Sequence, residues 1–520
     1  MATPSHGIPL RALLLLALSL LSIPIVFQLL HRPTPSPMPP PLLRITCADA
    51  ASQSPRANPP PLASDVHVPP PAPKPEEASE PTSLRHVVFG IASSRRTLPL
   101  RLPLLRLWLR APARAFLFLD APAPDARDLP PGLALRVSAD ASRFPYTHRR
   151  GLPSAVRVAR IAGELVSALN QQEEEDVRWL VLADDDTAFV LPNLLHTLRR
   201  YDHGEPWYLG ARSESAAQNA LHGFAMAYGG AGIAVSWPLA RRLAPALDSC
   251  VLRYPHLYGS DGRIYACLAE LGVELTHEPG FHQPLHVGSI RLLPIDLHGD
   301  ISGLLRSHPL SPLVSLHHLD HVHPLYPGTD RAGSAQRLFR AADADPARVL
   351  QQTVCYDRAR SLTASVSWGY AVQVLSGNVP LPDLLAAQRT FAPWRRSGGR
   401  GRGRNATDVL YMFDTRRYPG DECRRGALFF LESVAVAPAG EEGGTATVTT
   451  YGRLAPRKCP PGLVPLKSLR LVKVTSEPLQ LAPGKALRRH CCDIAPSSSD
   501  ASMDINIRRC KDDELIAMHS

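Results

Sequence analysis

Three adjacent carboxylates, Asp184-Asp185-Asp186, follow the apolar run Trp179-Leu180-Val181-Leu182. Like charges this close repel unless a cation or water offsets them, and their hard oxygen donors suit Mg2+ or Mn2+ carrying a diphosphate. The competing reading is an acidic turn leading into the helix that Pro192 begins. Three other places could share such chemistry. Gly229, Gly230 and Gly232 lie in Ala227–Ser236, where the backbone can approach a ligand closely or turn tightly between strands. Asp261, in Tyr258-Gly259-Ser260-Asp261, heads an amphipathic helix with Ile264, Cys267, Leu268 and Leu271, ended by Gly272. Taken alone it reads as that helix's N-cap. His282 closes the loop Glu278-Pro279-Gly280-Phe281-His282 and is either a ligand or a packed histidine.

The elements that must hold these residues alternate. His86–Ile91, Ala115–Leu119 and Trp179–Leu182 read as short buried strands, and Val273–Thr276 as another. Ser93 lies in the polar turn after the first. Ser154 can cap a helix to about Asn170, with Ile161, Leu165 and Leu169 along one face and Val158, Ala162 and Val166 beside them. Strands alternating with helices of this length predict an α/β fold, a parallel sheet with helices on both faces. Ligands bind such sheets beyond the carboxyl ends of the strands, where the acidic triplet stands.

At 520 residues the chain exceeds one ordinary core. Sixteen of its 53 prolines fall between Pro33 and Pro81, a stretch with no apolar period that cannot bury a core. Before it, residues 12–30 are uncharged, and nine of the nineteen are leucine. As a helix they rise about 28 Å, enough to span a bilayer core as a signal anchor, with a cleaved signal peptide as the alternative. Either route delivers the bulk of the chain to the secretory lumen. Eight cysteines lie beyond the proline-rich segment, without zinc-ribbon spacings, and are expected to form disulfides in that oxidising compartment. Asn405-Ala406-Thr407 is a glycosylation acceptor. Lys plus Arg exceed Asp plus Glu by only 10, a surplus that fits an acidic substrate as well as nucleic acid. The Arg/Gly alternation over Arg395–Arg404 reads as a solvated loop, since a lumenal chain meets no RNA.

Taken together and in order, Phe89–Ser94, Leu182–Thr187, Tyr228–Gly232, Tyr258–Asp261, Cys267–Val273 and Glu278–Gln283 resemble the metal-dependent glycosyltransferases of the Fringe and β-1,3-galactosyltransferase group, family 31. The resemblance is nearer still to a plant Fringe-related branch described mainly as a domain of unknown function, which Leu316–Asp320, Ser365–Tyr370 and Arg489–Asp493 also match. It implies a GT-A-like domain with a mainly parallel central sheet over residues 85–335. A cytosolic tail (1–11), an anchor (12–30) and a proline-rich stem (31–84) would precede it. A cysteine-containing, β-rich region (336–520) would follow. The implied protein is a Golgi type II membrane enzyme that moves a sugar from a UDP-sugar to a glycan, glycoprotein or glycolipid hydroxyl with inversion, forming a β-1,3 linkage. The implied roles are Asp186 and His282 as Mn2+ (or Mg2+) ligands and Asp261 as catalytic base. Ser93, Asp184, Asp185, Gly229 and Gly230 would contact the donor nucleotide. The alternative is a secretory carbohydrate-binding or scaffold protein that keeps the fold without turnover.

Two departures from the family pattern stand out. Gly262 occupies a position where relatives often carry a second Asp. An extra segment, Pro284–Pro294, follows His282-Gln283 and is expected to be a tolerated loop extension. His317, His318, His321 and His323 with Asp320 match no standard metal-site spacing, so they read as a structural segment beside the core.

Overall fold

Burial on both faces explains the near-continuous apolar strands at the centre of the molecule. Along β1 (Val87–Ala92), Val87, Phe89 and Ile91 enter one core cluster, while Val88 and Ala92 enter a second on the opposite face. This strand is in a computed structural model that describes residues 80–517, except 150, 172–175, 284–296, 300, 389–390, 394–412, 418, 420, 440–443, 456–458, 460–465, 483 and 496–498. The expected anchor, the stem up to residue 79, Asn405 and the Pro284–Pro294 extension therefore lie outside the described residues. Among the described residues, no helix is long and apolar enough to cross a membrane.

The central sheet adds β2 (Arg114–Leu119), β3 (Leu133–Val137), β4 (Trp179–Asp184), β6 (Tyr208–Gly210), β7 (Ile233–Ser236) and β8 (Leu275–His277) in the order β3-β2-β1-β4-β7-β6-β8. The pairs β3-β2, β2-β1, β1-β4 and β6-β8 are parallel, whereas β7 runs antiparallel to both β4 and β6. The sheet is thus mixed rather than uniformly parallel. β4 runs two residues past the expected end, so Asp184 is its last residue. A short β5 (Thr187–Phe189) follows the triplet at once and leaves this sheet for another, in which β11 (Ser315–His317) lies between β5 and β9 (Phe281–His282).

Helices cover both faces. Helix α1 (Leu98–Trp108) packs with the first cluster through Leu98, Leu102, Leu105 and Trp108. On the other face lies α2 (Ser154–Gln171), buried through Ile161, Leu165 and Leu169 as its 3.6-residue period demands. Further helices are α3 (Leu191–Leu198), α4 (Ala216–His222), α5 (Trp237–Arg253), α6 (Ser260–Glu270), α7 (Ser302–Arg306), α8 (Arg331–Ala344) and α9 (Leu381–Leu385).

Beyond α8 the chain is β-rich, as expected. Two short pairings join β10 (Leu297–Gly299) to β16 (Phe391–Pro393) and β15 (Ala387–Gln388) to β17 (Thr415–Arg416). An eight-stranded sheet comprises β12 (Gln352–Asp357), β13 (Leu362–Ser367), β14 (Ala371–Ser376), β18 (Ala427–Ala439), β19 (Gly444–Arg453), β20 (Leu471–Ser476), β22 (Ser502–Arg508) and β21 (Cys491–Ala495), in that order. The boundary drawn at 335/336 falls inside α8, and residues 78–520 form one compact unit. The physical reason is a shared core. Trp108, Phe189 and Phe281 belong to the same apolar cluster as Phe339, Trp368, Tyr370 and Phe429.

The eight distal cysteines pair as Cys250–Cys267, Cys355–Cys492, Cys423–Cys459 and Cys491–Cys510. The first ties α5 to α6, the helix that carries Asp261. Denatured but unreduced protein should accordingly take up no alkylating label at these eight positions, read by peptide mass. Labelling of most of them would place the chain in a reducing compartment instead.

Candidate active site

The triplet spreads because a strand end and a turn send consecutive side chains in different directions. Asp185 turns toward the start of α1. Its Oδ2 accepts hydrogen bonds from Ser93 Oγ at 2.6 Å and Thr97 Oγ1 at 3.0 Å, and its Oδ1 lies 3.3 Å from Arg101 Nε. Burial and the neighbouring Asp186 still push its carboxyl up to about 6. Ser93 and Asp185 are thus engaged with each other at the start of α1.

Asp184 keeps 43% of its side chain open and lines a pocket with Gly229, Ser260 and Asp261. Its carboxyl is pushed up to about 8 by burial at the strand end and by the charges of Asp186, Asp261 and Asp185. Water reaching the open part screens some of that push. Asp186 is buried, which by itself would raise its pKa. The rings of His318 and His317 outweigh that and hold it well below the usual range.

Those two rings, and not His282, are the imidazoles that meet Asp186. His282 does not serve Asp186: its Nδ1 lies 3.0 Å from Glu214 Oε1 and its Nε2 2.8 Å from His308 Nε2, all three residues being buried. Strand alternation is the reason. β9 and β11 run parallel with His282 beside Leu316, so the next residue of β11, His317, presents the opposite face. There His317 Nε2 stands 2.9 Å from Asp186 Oδ1 and 3.7 Å from Asp184 Oδ2. His318 then adopts a left-handed backbone, φ 59°, and turns back so that its Nε2 reaches Asp186 Oδ2 at 2.9 Å. His321 follows at 3.8 Å from the same oxygen. The segment dismissed as structural therefore supplies the histidines of the site. Arg101 fastens it, pairing with Asp186 at 3.2 Å, with Asp320 and with His321 Nε2 at 2.8 Å.

The two glycines are required by close approach. A Cβ on Gly229 would sit 2.7 Å from Asp261 Oδ1, and one on Gly230 would sit 2.2 Å from His317 Cε1. Gly229 also offers its backbone N–H to Asp261, and Ser260 Oγ donates to Asp261 Oδ1 at 3.1 Å. Asp261 is not the N-cap: that position is Gly259, and Asp261 lies in the first turn of α6. Burial raises its pKa above the usual carboxylate range, against the pull of Gly229 and Ser260. Behind it Arg263, fully buried, holds the carbonyls of Gly259 at 2.8 Å and Pro255 at 3.2 Å and so fixes the loop that aims Asp261. A Cβ at Gly262 would find Leu257 and Met226 nearest, at 3.8–3.9 Å, so this position has room for a side chain.

Asp184, Asp186 and His317 offer one ligand atom each within 4.8 Å of one another, as do Asp186, His318 and His321. Two carboxylates and an imidazole form a donor set suited to Mn2+ or Mg2+. Sequence reasoning missed His317, His318, His321 and Arg101, as well as Glu214 and His308. The density of histidine after Leu316 was the available signal, and spacing rules made for contiguous metal motifs discarded it.

Residues 218–492 match the family described as "Protein of unknown function, DUF604". Among curated proteins, the chain is 35% identical over 115 residues to a beta-1,3-glucosyltransferase of Homo sapiens, 22% of each chain. It is 35% identical over 107 residues to a beta-1,3-glucosyltransferase of Mus musculus, 21% of each. The chain thus spans about a fifth of the length of these relatives.

Proposed function

We propose that this chain, which belongs to the DUF604 family of proteins of unknown function, is an inverting, metal-dependent glycosyltransferase acting on a UDP-sugar donor and a glycan or glycoconjugate hydroxyl. The carrying observation is the pocket where Asp184, at the end of β4, and Asp261, at the start of α6, line one space, with His317 and Asp186 behind Asp184. The partial likeness to beta-1,3-glucosyltransferases supports sugar transfer and a β-1,3 linkage.

In this reading Asp184, Asp186 and His317 hold the divalent cation, which when bound offsets the charge on the departing diphosphate. Asp185, tied to Ser93, Thr97 and Arg101, keeps the triplet in place. Gly229 lets the backbone close on Asp261. Asp261, its basicity raised by burial, takes the proton of the acceptor hydroxyl from the side away from the diphosphate. A single displacement of that kind inverts the anomeric centre. Four disulfides support a secretory lumen, and a Golgi type II placement through residues 12–30 accompanies this reading.

One observation favours a scaffold without turnover: Arg101 already supplies a fixed cation to Asp185 and Asp186. Donor hydrolysis separates the two. Full-length protein should release UDP slowly in Mn2+ from at least one of UDP-glucose, UDP-galactose, UDP-N-acetylglucosamine and UDP-xylose, and lose this with EDTA. No release from any of the four, with UDP binding intact, would favour the scaffold.

A further inference from the structure

Two buried polar atoms beside the histidine of the site have no partner among the described residues, and they are Gln283 Oε1 and His317 Nδ1. Both side chains are almost fully enclosed, Gln283 at 5% and His317 at 2% exposure. They face the same spot, 2.7 and 2.4 Å from where a Cβ on Gly230 would lie. The strand register accounts for the meeting, since His282 stands beside Leu316 and the next residues along are Gln283 and His317.

Hydrogen-bond chemistry says why both are left over. A carboxylate can only accept, so the 2.9 Å contact between His317 Nε2 and Asp186 Oδ1 places the imidazole proton on Nε2. In the neutral ring Nδ1 is then a bare acceptor facing the same spot as Gln283 Oε1, which is an acceptor too, and the two form no hydrogen bond with each other. A cation held by Asp184, Asp186 and His317 would use the Nε2 lone pair. The ring proton then belongs on Nδ1, where Gln283 Oε1 can receive it once the amide turns to meet it. A shift of tautomer together with a turn of the Gln283 side chain gives both orphaned atoms a partner.

We infer that Gln283 is a positioning residue that sets the His317 tautomer needed to hold the cation, so that the site is built for its loaded state. This rests on the metal-dependent reading above. It also gives the buried Glu214–His282–His308 cluster a purpose: Glu214 accepts the backbone N–H of Gln283 at 3.2–3.3 Å and, with His282 locked beside it, holds that residue facing His317.

The test uses the full-length protein, Mn2+ titration by calorimetry, and melting in EDTA. Gln283→Leu should weaken Mn2+ about 10- to 100-fold, the usual cost of losing a partner behind a metal ligand, and its metal-free melting temperature should not fall. Gln283→Glu, which keeps an acceptor there, should bind Mn2+ within about threefold of the parent. Parent-like Mn2+ binding by Gln283→Leu would overturn the inference. So would equal weakening by Gln283→Glu, or a lower metal-free melting temperature for Gln283→Leu, which would mean that the amide already donates to His317 in the empty site. A parent protein that binds no Mn2+ would sink the metal-dependent reading along with it, whereas a binding parent and an unchanged Leu variant would sink this inference alone.

Discussion

Asp261→Asn should lower sugar transfer by at least about a hundredfold while leaving UDP and Mn2+ binding close to the parent's. Asp261 lies in the first turn of α6, reached by the N–H of Gly229 and the hydroxyl of Ser260. Asparagine keeps a carbonyl oxygen for those donors and nearly the same shape, so the helix start and the close approach of Gly229 survive. What it lacks is the capacity to take a proton. Burial already makes this carboxylate a stronger base than an exposed one, which is the property removed. The measurement is transfer to an acceptor alongside UDP affinity in Mn2+. Unchanged turnover would reduce Asp261 to a residue that merely begins a helix, and a loss of UDP binding in step with transfer would point to a collapsed pocket.

Two histidines that the sequence ranked the other way round, His282 as a ligand and His317 as structural, should behave in opposite ways. His317→Ala removes a ring held against Asp186 and Asp184, so Mn2+-dependent UDP binding should fall by more than about tenfold while the fold persists. His282→Ala leaves the Glu214 carboxylate buried without its ring partner. An uncompensated buried charge costs about 3–5 kcal/mol, so that variant should lose stability first, seen as an earlier denaturant midpoint in EDTA. Its Mn2+ affinity should drop only as far as Gln283 shifts. Equal losses of Mn2+ affinity with equal stability in the two variants would return His282 to the metal and undo the assignment.

These two experiments bear on the same geometry from different ends of the chain. α6 is tied by Cys250–Cys267 to α5, while β11 is tied to the triplet through Arg101 and the backbone bond from His318 N–H to Asp186 C=O at 3.1 Å. Both sides of the pocket are therefore fixed by cross-links close to the residues that act.

Much of this was legible in residue order. The buried strands at 87–92, 114–119 and 179–184 follow from short continuous apolar runs, and the long helix from Ser154 and the helix carrying Asp261 from the 3.6-residue period, because both are local properties of the chain. The triplet at the end of a buried strand, the glycines at 229 and 230 and the disulfide-bonded state of the distal cysteines were likewise readable from type and position. Tertiary structure alone decided which histidine meets Asp186. His282 and His317 are separated by a long stretch of sequence, and only the parallel register of β9 on β11, offset by one residue, sends one ring toward Glu214 and the other toward the triplet. A left-handed backbone at His318, which no periodicity announces, adds the second ring. The boundary at residue 335 falls inside α8, and a single apolar core binds the α/β sheet to the β-rich region across it, a continuity of burial that residue order does not announce.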